Sequence, residues 1–467
     1  MNSTIQLVLQ NIQIDQQDNQ ETKNEMRKTK TAYKILLTLY KEITASYLFI
    51  VNNYFINDDE GKQIIPQVKS MNFLTSPSNY FPKEIREYVL KNTKKCVFYK
   101  FPISNSKNAE IYFYYYGKQP ELKNYKFKKY ITYILTWLYY INNVLITKTA
   151  TTQIYNCCKT LKIHIFLTHF KKHISEKGQI MSSLNVNTGF TEFCPKNGTI
   201  VIYRKEEWFK VFIHETLHAF GLEFSILDIT KASNETHKLF NIKDRTGNEK
   251  SLINIFEAYV EFWARIINII FYSINRTHIN QLSSLLTSFE NEITIRKIKN
   301  LIEVEILFSL FQSNKILVHS GLSYNKLITT TTSASSTSST APFDGKNKDK
   351  YYIEGSTNVF PYYIITTILL YNYKDFLDWC LMTNGEGIIN FNKKIESVDS
   401  FLRFIKHHYK SPELIENFDI IRQLYIDIVL TPSLTSSSKN KILDKKIETN
   451  LLMSSFDPLI TMFSYLH

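Results

Sequence analysis

The stretch KEEWFKVFIHETLHAFG, residues 205–221, is the most informative part of the sequence. It contains two histidines four residues apart, His214 and His218, with Glu215 directly after the first. On a helix this spacing places both imidazole rings on one face, about one turn apart, so that their nitrogens can meet a single metal ion. Glu215 can reach a water molecule on that ion rather than the ion itself. The stretch therefore predicts a helix that holds a zinc ion together with a general base.

The residues before this helix predict a small sheet. Residues 161–170 alternate around β-branched and aromatic side chains, which is typical of a strand. Residues 184–193 predict a second strand, in which Gly189 indicates a bulge or a close backbone approach. Asn197–Arg204 predicts a third, opened by an Asn-Gly turn. Gly221 supplies a C-terminal stop, so the predicted metal helix directly follows a sheet.

A catalytic zinc ion needs a third protein ligand and one open position. The metzincin pattern HExxHxxGxxH fails because Phe224 stands in place of its third histidine, and Glu223 lies one residue short. Downstream, FEAYVEFWA (256–264) places Glu257 and Glu261 four apart on one face of a second predicted helix. Burying two carboxylates in so apolar a stretch is costly unless cations compensate them. A metal ion bound to the two histidines would supply that compensation.

Together, HETLH and EAYVE resemble the gluzincins, the zinc metallopeptidases of the thermolysin and neprilysin type. These enzymes have HExxH on one helix and an ExxxD pair on the next. The resemblance implies a zincin-like core in which His214, His218 and Glu257 bind zinc. It also implies that Glu215 activates a metal-bound water for the hydrolysis of peptide bonds. The expected partner is a peptide or protein substrate.

The sequence departs from this pattern in three ways within the region of resemblance, about residues 161–274. A glutamate, Glu261, replaces the aspartate, the gap before Glu257 is longer than in thermolysin, and Phe256 stands where an asparagine often precedes the ligand. The resemblance gives Glu261 the role of accepting a hydrogen bond from a ligand histidine. Because of the departures, Glu261 also stays open as an alternative metal ligand.

Two further parts of the site are less marked in the sequence. In zincins a strand beside the cleft pairs with extended substrate, and NVNTGF (185–190) is the candidate, with Gly189 allowing a peptide to approach. An ordinary edge strand with a bulge explains it equally well. No motif marks the donor that stabilises the developing oxyanion. The candidates are His319, Tyr352, Tyr362 and Tyr363.

Composition predicts an α+β chain that is mostly helical. Of 467 residues, 44% are hydrophobic, and the low counts of glycine (12) and proline (11) disfavour a repeat-rich all-β architecture. The predicted units are a flexible tail at 1–28, a mainly helical domain at 29–150, the zincin-like core at 151–280 and a helical domain at 281–467. A low-complexity stretch predicts a flexible insert at 329–350 within the last unit.

Charge and cysteine content bear on partners and location. The net charge of +13 comes from lysines spread along the chain, so no nucleic-acid partner is predicted. Five cysteines without a CxxC pair favour a reducing, intracellular location, and no membrane-spanning helix is predicted. The lysine- and asparagine-rich composition resembles that of large DNA viruses, which would place the chain in host cytoplasm or a virion. The alternative function is a non-catalytic zincin scaffold with a structural or interaction role.

Overall fold

The computed structural model describes residues 23–56, 67–70, 80–104, 106–116, 125–149, 156–176, 181–240, 253–276, 288–328, 357–427 and 449–457. Helices packed around one mixed sheet form this part of the protein, so the predicted α+β class is confirmed. Residues 1–22 of the predicted tail and the predicted insert at 329–350 lie outside the described residues. The rest of the predicted tail, 23–28, belongs to a helix.

Within the described residues the sheet has six strands, in the order β1-β2-β3-β4-β6-β5. The pairs β1/β2, β2/β3 and β5/β6 are antiparallel, whereas β3/β4 and β4/β6 are parallel. The short strand β5 thus forms one edge of the described sheet. The strands are β1 (Gln67–Ser70), β2 (Thr93–Ser104), β3 (Lys107–Tyr116), β4 (Thr160–Thr168), β5 (Gly189–Phe190) and β6 (Asn197–Arg204).

Most of the described helices pack with the sheet and with each other in one large hydrophobic core, and the helix Lys83–Asn92 packs with the sheet in a second, smaller cluster. They are α1 (Lys23–Val51), α2 (Lys83–Asn92), α3 (Tyr125–Tyr139), α4 (Ser183–Val186), α5 (Trp208–Ala219), α6 (Thr230–Leu239), α7 (Ile255–Arg276), α8 (Ser288–His319), α9 (Tyr324–Ile328), α10 (Thr366–Tyr371), α11 (Tyr373–Asn384), α12 (Ile395–His408) and α13 (Pro412–Tyr425).

The sheet crosses the domain boundary that the sequence predicted at residue 150. Strand β3 pairs with β4 from Asn108 opposite Thr160 to Phe113 opposite Ile165. Helix α3 also packs on α5, where the Trp137 indole donates a 2.6 Å hydrogen bond to the Thr216 hydroxyl. Residues on both sides of the predicted boundary therefore share one sheet and one core.

Two of the three strands predicted before the metal helix are confirmed as β4 and β6, but the prediction for 184–193 is largely wrong. Residues 183–186 form the helical turn α4, and only Gly189 and Phe190 pair with β6. The Asn185 side chain accepts a hydrogen bond from the backbone N–H of Ser182 and donates one to the carbonyl of His173. Such local side-chain bonds compete with strand pairing, and here they stabilise the turn.

A disulfide joins Cys157, just before β4, to Cys194, just before β6. The backbone N–H of Cys194 donates a 3.1 Å hydrogen bond to the carbonyl of His218, so the bonded loop contacts the end of α5. The odd cysteine count did not predict this pair. Disulfides persist mainly in oxidising compartments, and the expected reducing, intracellular location stays a prediction. The other three cysteines, Cys96, Cys158 and Cys380, are buried and lie outside this disulfide.

The N-terminal helix is the one described segment that is long and apolar enough to cross a membrane by length and composition alone. This segment is Lys23–Tyr54, and half of its most apolar stretch is buried inside the protein. Its buried face includes Leu36, Leu39 and Ile43, which belong to the main core. Core helices of this kind pass the same test, so the absence of a membrane span stays a prediction.

Candidate metal centre

Helix α5 carries the HETLH stretch and is buried along almost its whole length. It ends where the sequence predicted, because Gly221 adopts a left-handed conformation with φ of +62°. The N–H of Gly221 donates to the carbonyl of His218, and the N–H of Leu222 donates to that of Leu217. This turn reverses the chain immediately after His218.

His214, His218 and Glu257 meet at one point between α5 and α7. The Nε2 atoms of the two histidines are 3.2 Å apart. Oε2 of Glu257 lies 3.2 Å from Nε2 of His214 and 3.4 Å from Nε2 of His218. Nitrogen and oxygen ligands bound at about 2.0–2.1 Å to a tetrahedral zinc ion are roughly 3.3 Å from each other. The three side chains could therefore hold a metal ion, and their separations suit zinc.

The outer nitrogen of each histidine faces a different carboxylate. Nδ1 of His214 lies 3.1 Å from Oε2 of Glu261, and Nδ1 of His218 lies 3.1 Å from Oε1 of Glu223. A neutral imidazole carries one N–H, and donation from Nδ1 leaves Nε2 as a bare lone pair. Both lone pairs then point at each other and at Glu257. This arrangement is repulsive unless a cation lies between them.

One carboxylate oxygen of Glu257 also lacks a hydrogen-bond donor among the described residues of the site. Its Oε1 accepts a 3.0 Å hydrogen bond from the side-chain amide of Asn358. Its Oε2, the atom that faces the histidines, is buried without a hydrogen-bond partner in the described part of the chain. A buried carboxylate oxygen with no donor is costly. The donor set of two imidazoles and one carboxylate fits a zinc ion in chemistry as well as in spacing.

The charged groups at the site shift each other's pKa. Burial lowers the pKa of His218, but the Glu257 and Glu223 carboxylates outweigh burial and raise that pKa well above 6.5. Burial raises the pKa of Glu257, but His218 and His214 outweigh it and lower the pKa to about 2. A carboxylate this strongly held in its ionised form favours positive charge beside it. A metal ion would take the place of protons on the imidazoles.

Glu215 is close enough to His214, His218 and Glu257 to interact with them electrostatically. Its side chain is buried, with 7% of its surface exposed, and it accepts no hydrogen bond from any described residue. Burial raises the pKa of Glu215, while His214 and His218 pull that pKa down. A carboxylate without a competing donor is available to accept a proton from a nearby molecule.

Glu261, the alternative ligand, lies behind His214 rather than among the converging atoms. Both its oxygens accept hydrogen bonds from Lys210 Nζ, at 2.8 and 3.0 Å. Arg265 Nε donates to Oε1 at 2.9 Å. With its oxygens occupied by two cations and by Nδ1 of His214, Glu261 occupies the position of a carboxylate that orients a ligand.

Gly189, the predicted substrate contact, is at the sheet edge but is buried against its own chain. A Cβ atom at this position would lie 2.8 Å from the Val201 carbonyl oxygen, 2.8 Å from the Ile202 side chain and 3.1 Å from Val211 on α5. The close approach that requires glycine is thus between β5, β6 and α5. In this structure Gly189 lets the edge strand pack, and its role as a substrate contact stays a prediction.

Sequence reasoning missed two residues that complete the site. Glu223 was weighed only as a ligand, yet the turn after Gly221 brings its buried carboxylate to His218. The short spacing of Glu223 from HETLH was the sequence signal that could have identified this role. Asn358, which binds Glu257, lies 101 residues away in sequence and is held in turn by Asn254 at 2.9 Å. No local pattern marks Asn358.

Of the three candidate oxyanion donors among the described residues, only Tyr362 is at the site. Its ring centroid lies 5.7 Å from that of His214. Burial, together with the carboxylates of Glu257 and Glu215, raises the pKa of Tyr362 well above 10, so that the phenol keeps its proton. Tyr363 donates to the carbonyl of Leu451, and His319 pairs with Ser175, away from the converging atoms. Tyr352 lies outside the described residues.

We compared the chain with models of known protein families, with curated proteins and with solved structures, and none of the three comparisons gave a match.

Proposed function

We propose that the protein is a zinc metallopeptidase with a gluzincin-like site. The observation that carries the proposal is the triangle of two imidazole Nε2 atoms and one orphaned carboxylate oxygen, with separations of 3.2, 3.2 and 3.4 Å. The presence of Glu215 beside this triangle favours catalysis over a purely structural metal, since a structural site needs no free carboxylate. The mixed sheet that leads into α5 is consistent with a zincin-like core.

His214, His218 and Glu257 would hold the zinc ion, and Glu261 and Glu223 would fix the two imidazole rings through their Nδ1 atoms. When bound, zinc acidifies water and polarises the carbonyl of the scissile peptide bond. Glu215 accepts a proton from the attacking water and passes it to the leaving amine. Its burial favours the protonated form, which suits the second half of that transfer.

Tyr362 is our candidate for the oxyanion donor. We expect Tyr362→Phe to lower kcat by about 10²–10³-fold with little change in zinc content, because removal of one oxyanion donor has effects of that size. The measurement is steady-state kinetics on a cleaved peptide. Tyr324→Phe is the matched control, because its buried hydroxyl donates to the carbonyl of Tyr409 and the residue is not part of the metal centre. Equal kcat values for Tyr362→Phe and the parent protein would remove Tyr362 from the reaction.

The proposal is tested by metal analysis combined with cleavage of a peptide library. We expect one zinc ion per chain, cleavage of some library peptides, loss of cleavage after chelation and its return after zinc is added back. Zinc at 100 times its Kd should also stabilise the apoprotein by about 2.7 kcal/mol. Stoichiometric zinc without hydrolysis of any peptide would favour the non-catalytic scaffold instead.

A further inference from the structure

Six charged side chains form a buried chain that runs from the loop after β4 to the metal centre and on to α8. We call it the buried charge chain. Three of its members are cationic and three are acidic, and each exposes 7% or less of its surface. Fully buried charges are stable only when paired and hydrogen-bonded. The members are Lys172, Glu207, Lys210, Glu261, Arg265 and Glu305.

The centre of the buried charge chain is in contact with His214. Lys210 lies one helical turn before His214 on α5, and its ammonium group donates to both oxygens of Glu261. Glu261 in turn faces Nδ1 of His214 at 3.1 Å. Arg265 binds the same carboxylate and also donates to the backbone carbonyl of Tyr362 at 3.3 Å. Lys210 and Arg265 together fix the carboxylate that orients the metal-ligand candidate.

Two acidic members of the buried charge chain, Glu207 and Glu305, accept hydrogen bonds from the C-terminal segment, residues 449–456. Oε1 of Glu207 accepts hydrogen bonds from the backbone N–H groups of Met453 (2.8 Å) and Ser454. Oε2 of Glu305 accepts hydrogen bonds from the backbone N–H and hydroxyl of Ser455, at 2.9 and 2.5 Å. Apart from the paired Lys172, these are the hydrogen-bond donors to Glu207, and they occupy Oε2 of Glu305 while its Oε1 lies 3.9 Å from the Arg265 guanidinium.

The segment also contacts Lys210 directly. The sulfur of Met453 lies 3.6 Å from Lys210 Nζ, beside the two hydrogen bonds to Glu261. An ammonium group has three N–H donors, and the thioether is a weak acceptor for the third. Met453 is 4% exposed, so it also excludes water from this ion pair.

Backbone hydrogen bonds join the segment to the loop after β4, as they would hold a bound peptide. Ile174 N–H donates to the carbonyl of Thr449 at 2.8 Å, and Leu451 N–H donates to the carbonyl of Lys172 at 3.3 Å. Two side chains of α8, together with Tyr363, bind three more of its carbonyls. These are Lys315 to Asn450, Tyr363 to Leu451 and Gln312 to Leu452.

We propose that Lys210 and the C-terminal segment 449–456 are positioning elements of the metal centre. The segment anchors Glu207 and covers Lys210, Lys210 fixes Glu261, and Glu261 sets the ring orientation of His214. A part of the chain more than 200 residues from the HETLH stretch thereby governs how tightly the metal is held. This inference rests on the proposed function only in requiring a metal at His214.

The experiment measures the Kd for zinc by competition with a chromogenic chelator, using full-length protein and the variant Lys210→Met. We expect the Kd to rise about 10–100-fold, as for other losses of outer-shell partners. The visible spectrum of the Co²⁺-loaded protein should change as well, because the ring of His214 is no longer fixed. A Kd within twofold of the parent value together with an unchanged Co²⁺ spectrum would overturn the proposal.

The segment itself is tested by a chain that stops after residue 449. We expect the same loss of zinc affinity, with recovery when the peptide TNLLMSSFD (449–457) is added and none with a scrambled peptide. If this chain does not fold, Lys210→Met decides the matter alone. Ile421→Ala on α13 is the control for general destabilisation: a buried apolar truncation far from the buried charge chain in sequence should lower the melting temperature and leave the Kd unchanged.

The outcomes separate this inference from the proposed function. A parent protein that binds zinc but cleaves no peptide refutes the peptidase proposal and leaves the affinity comparison intact. A parent protein that binds no zinc refutes both, because there would then be no metal to position.

Discussion

Glu215→Gln should reduce kcat/KM for peptide hydrolysis by about 10²–10⁴-fold while the zinc content stays at one ion per chain. General-base catalysis contributes an effect of this size, and glutamine has the shape of glutamate without a basic oxygen. The metal should remain because Glu215 lies outside the triangle of His214, His218 and Glu257. Its carboxylate accepts no hydrogen bond from the described residues, so the substitution breaks no pairing that the fold needs.

The measurement is kcat/KM on the best library peptide, with zinc determined by elemental analysis on the same samples. Glu235→Gln is the matched control: this glutamate is on the exposed surface of α6, paired with Lys238, and its replacement should change kcat/KM by less than about twofold. Hydrolysis that persists at the parent rate in Glu215→Gln would exclude the proposed base and require another source of the observed cleavage.

Substitution of a metal ligand should have the second large effect. We expect His218→Ala and Glu257→Gln each to weaken zinc binding by more than the roughly 10–100-fold that loss of an outer-shell partner costs. Each variant removes one of the three atoms that meet at the site. Activity should be lost together with the metal, in contrast to Glu215→Gln. His407→Ala, an exposed histidine on α12, is the control and should bind zinc normally.

The same kind of substitution tests which of the two glutamates of α7 is the third metal ligand. Glu261 is bound by Lys210, Arg265 and His214, so Glu261→Gln should weaken zinc binding only within the outer-shell range. Glu257→Gln should be far more damaging, because Oε2 of Glu257 is the oxygen that faces both imidazoles. If Glu261→Gln loses the metal and Glu257→Gln keeps it, the assignment of the third ligand is reversed.

The sequence predicted those parts of the site that depend on local periodicity. Residues four apart on a helix share a face in any fold, so the pairing of His214 with His218, and the common face of Glu257 and Glu261, followed from spacing alone. The stop at Gly221 followed from glycine's access to the left-handed region. That α5 and α7 would meet was an inference from charge burial, and the structure brings the two helices together.

Contacts between distant segments could not be predicted in this way. Asn358 and Met453 reach the site only through tertiary packing, and neither stands in a motif. The strand prediction at 184–193 was wrong because it was based on the alternation of side-chain types. In the structure, Asn185 makes local hydrogen bonds that stabilise a turn instead. Gly189 was correctly placed at a close backbone approach, but the approaching groups are Val201, Ile202 and Val211 of the same chain.

The pairing of β3 with β4 has a practical consequence for anyone who tries to isolate the metal centre. A fragment that begins at residue 151 would leave β4 as a bare edge with its backbone N–H and C=O groups unpaired, a template for association with other chains. It would also lose Trp137, the indole donor to Thr216 within the HETLH stretch. We therefore expect such a fragment to aggregate, so that zinc titrations require the preceding strands and helix α3 to be retained.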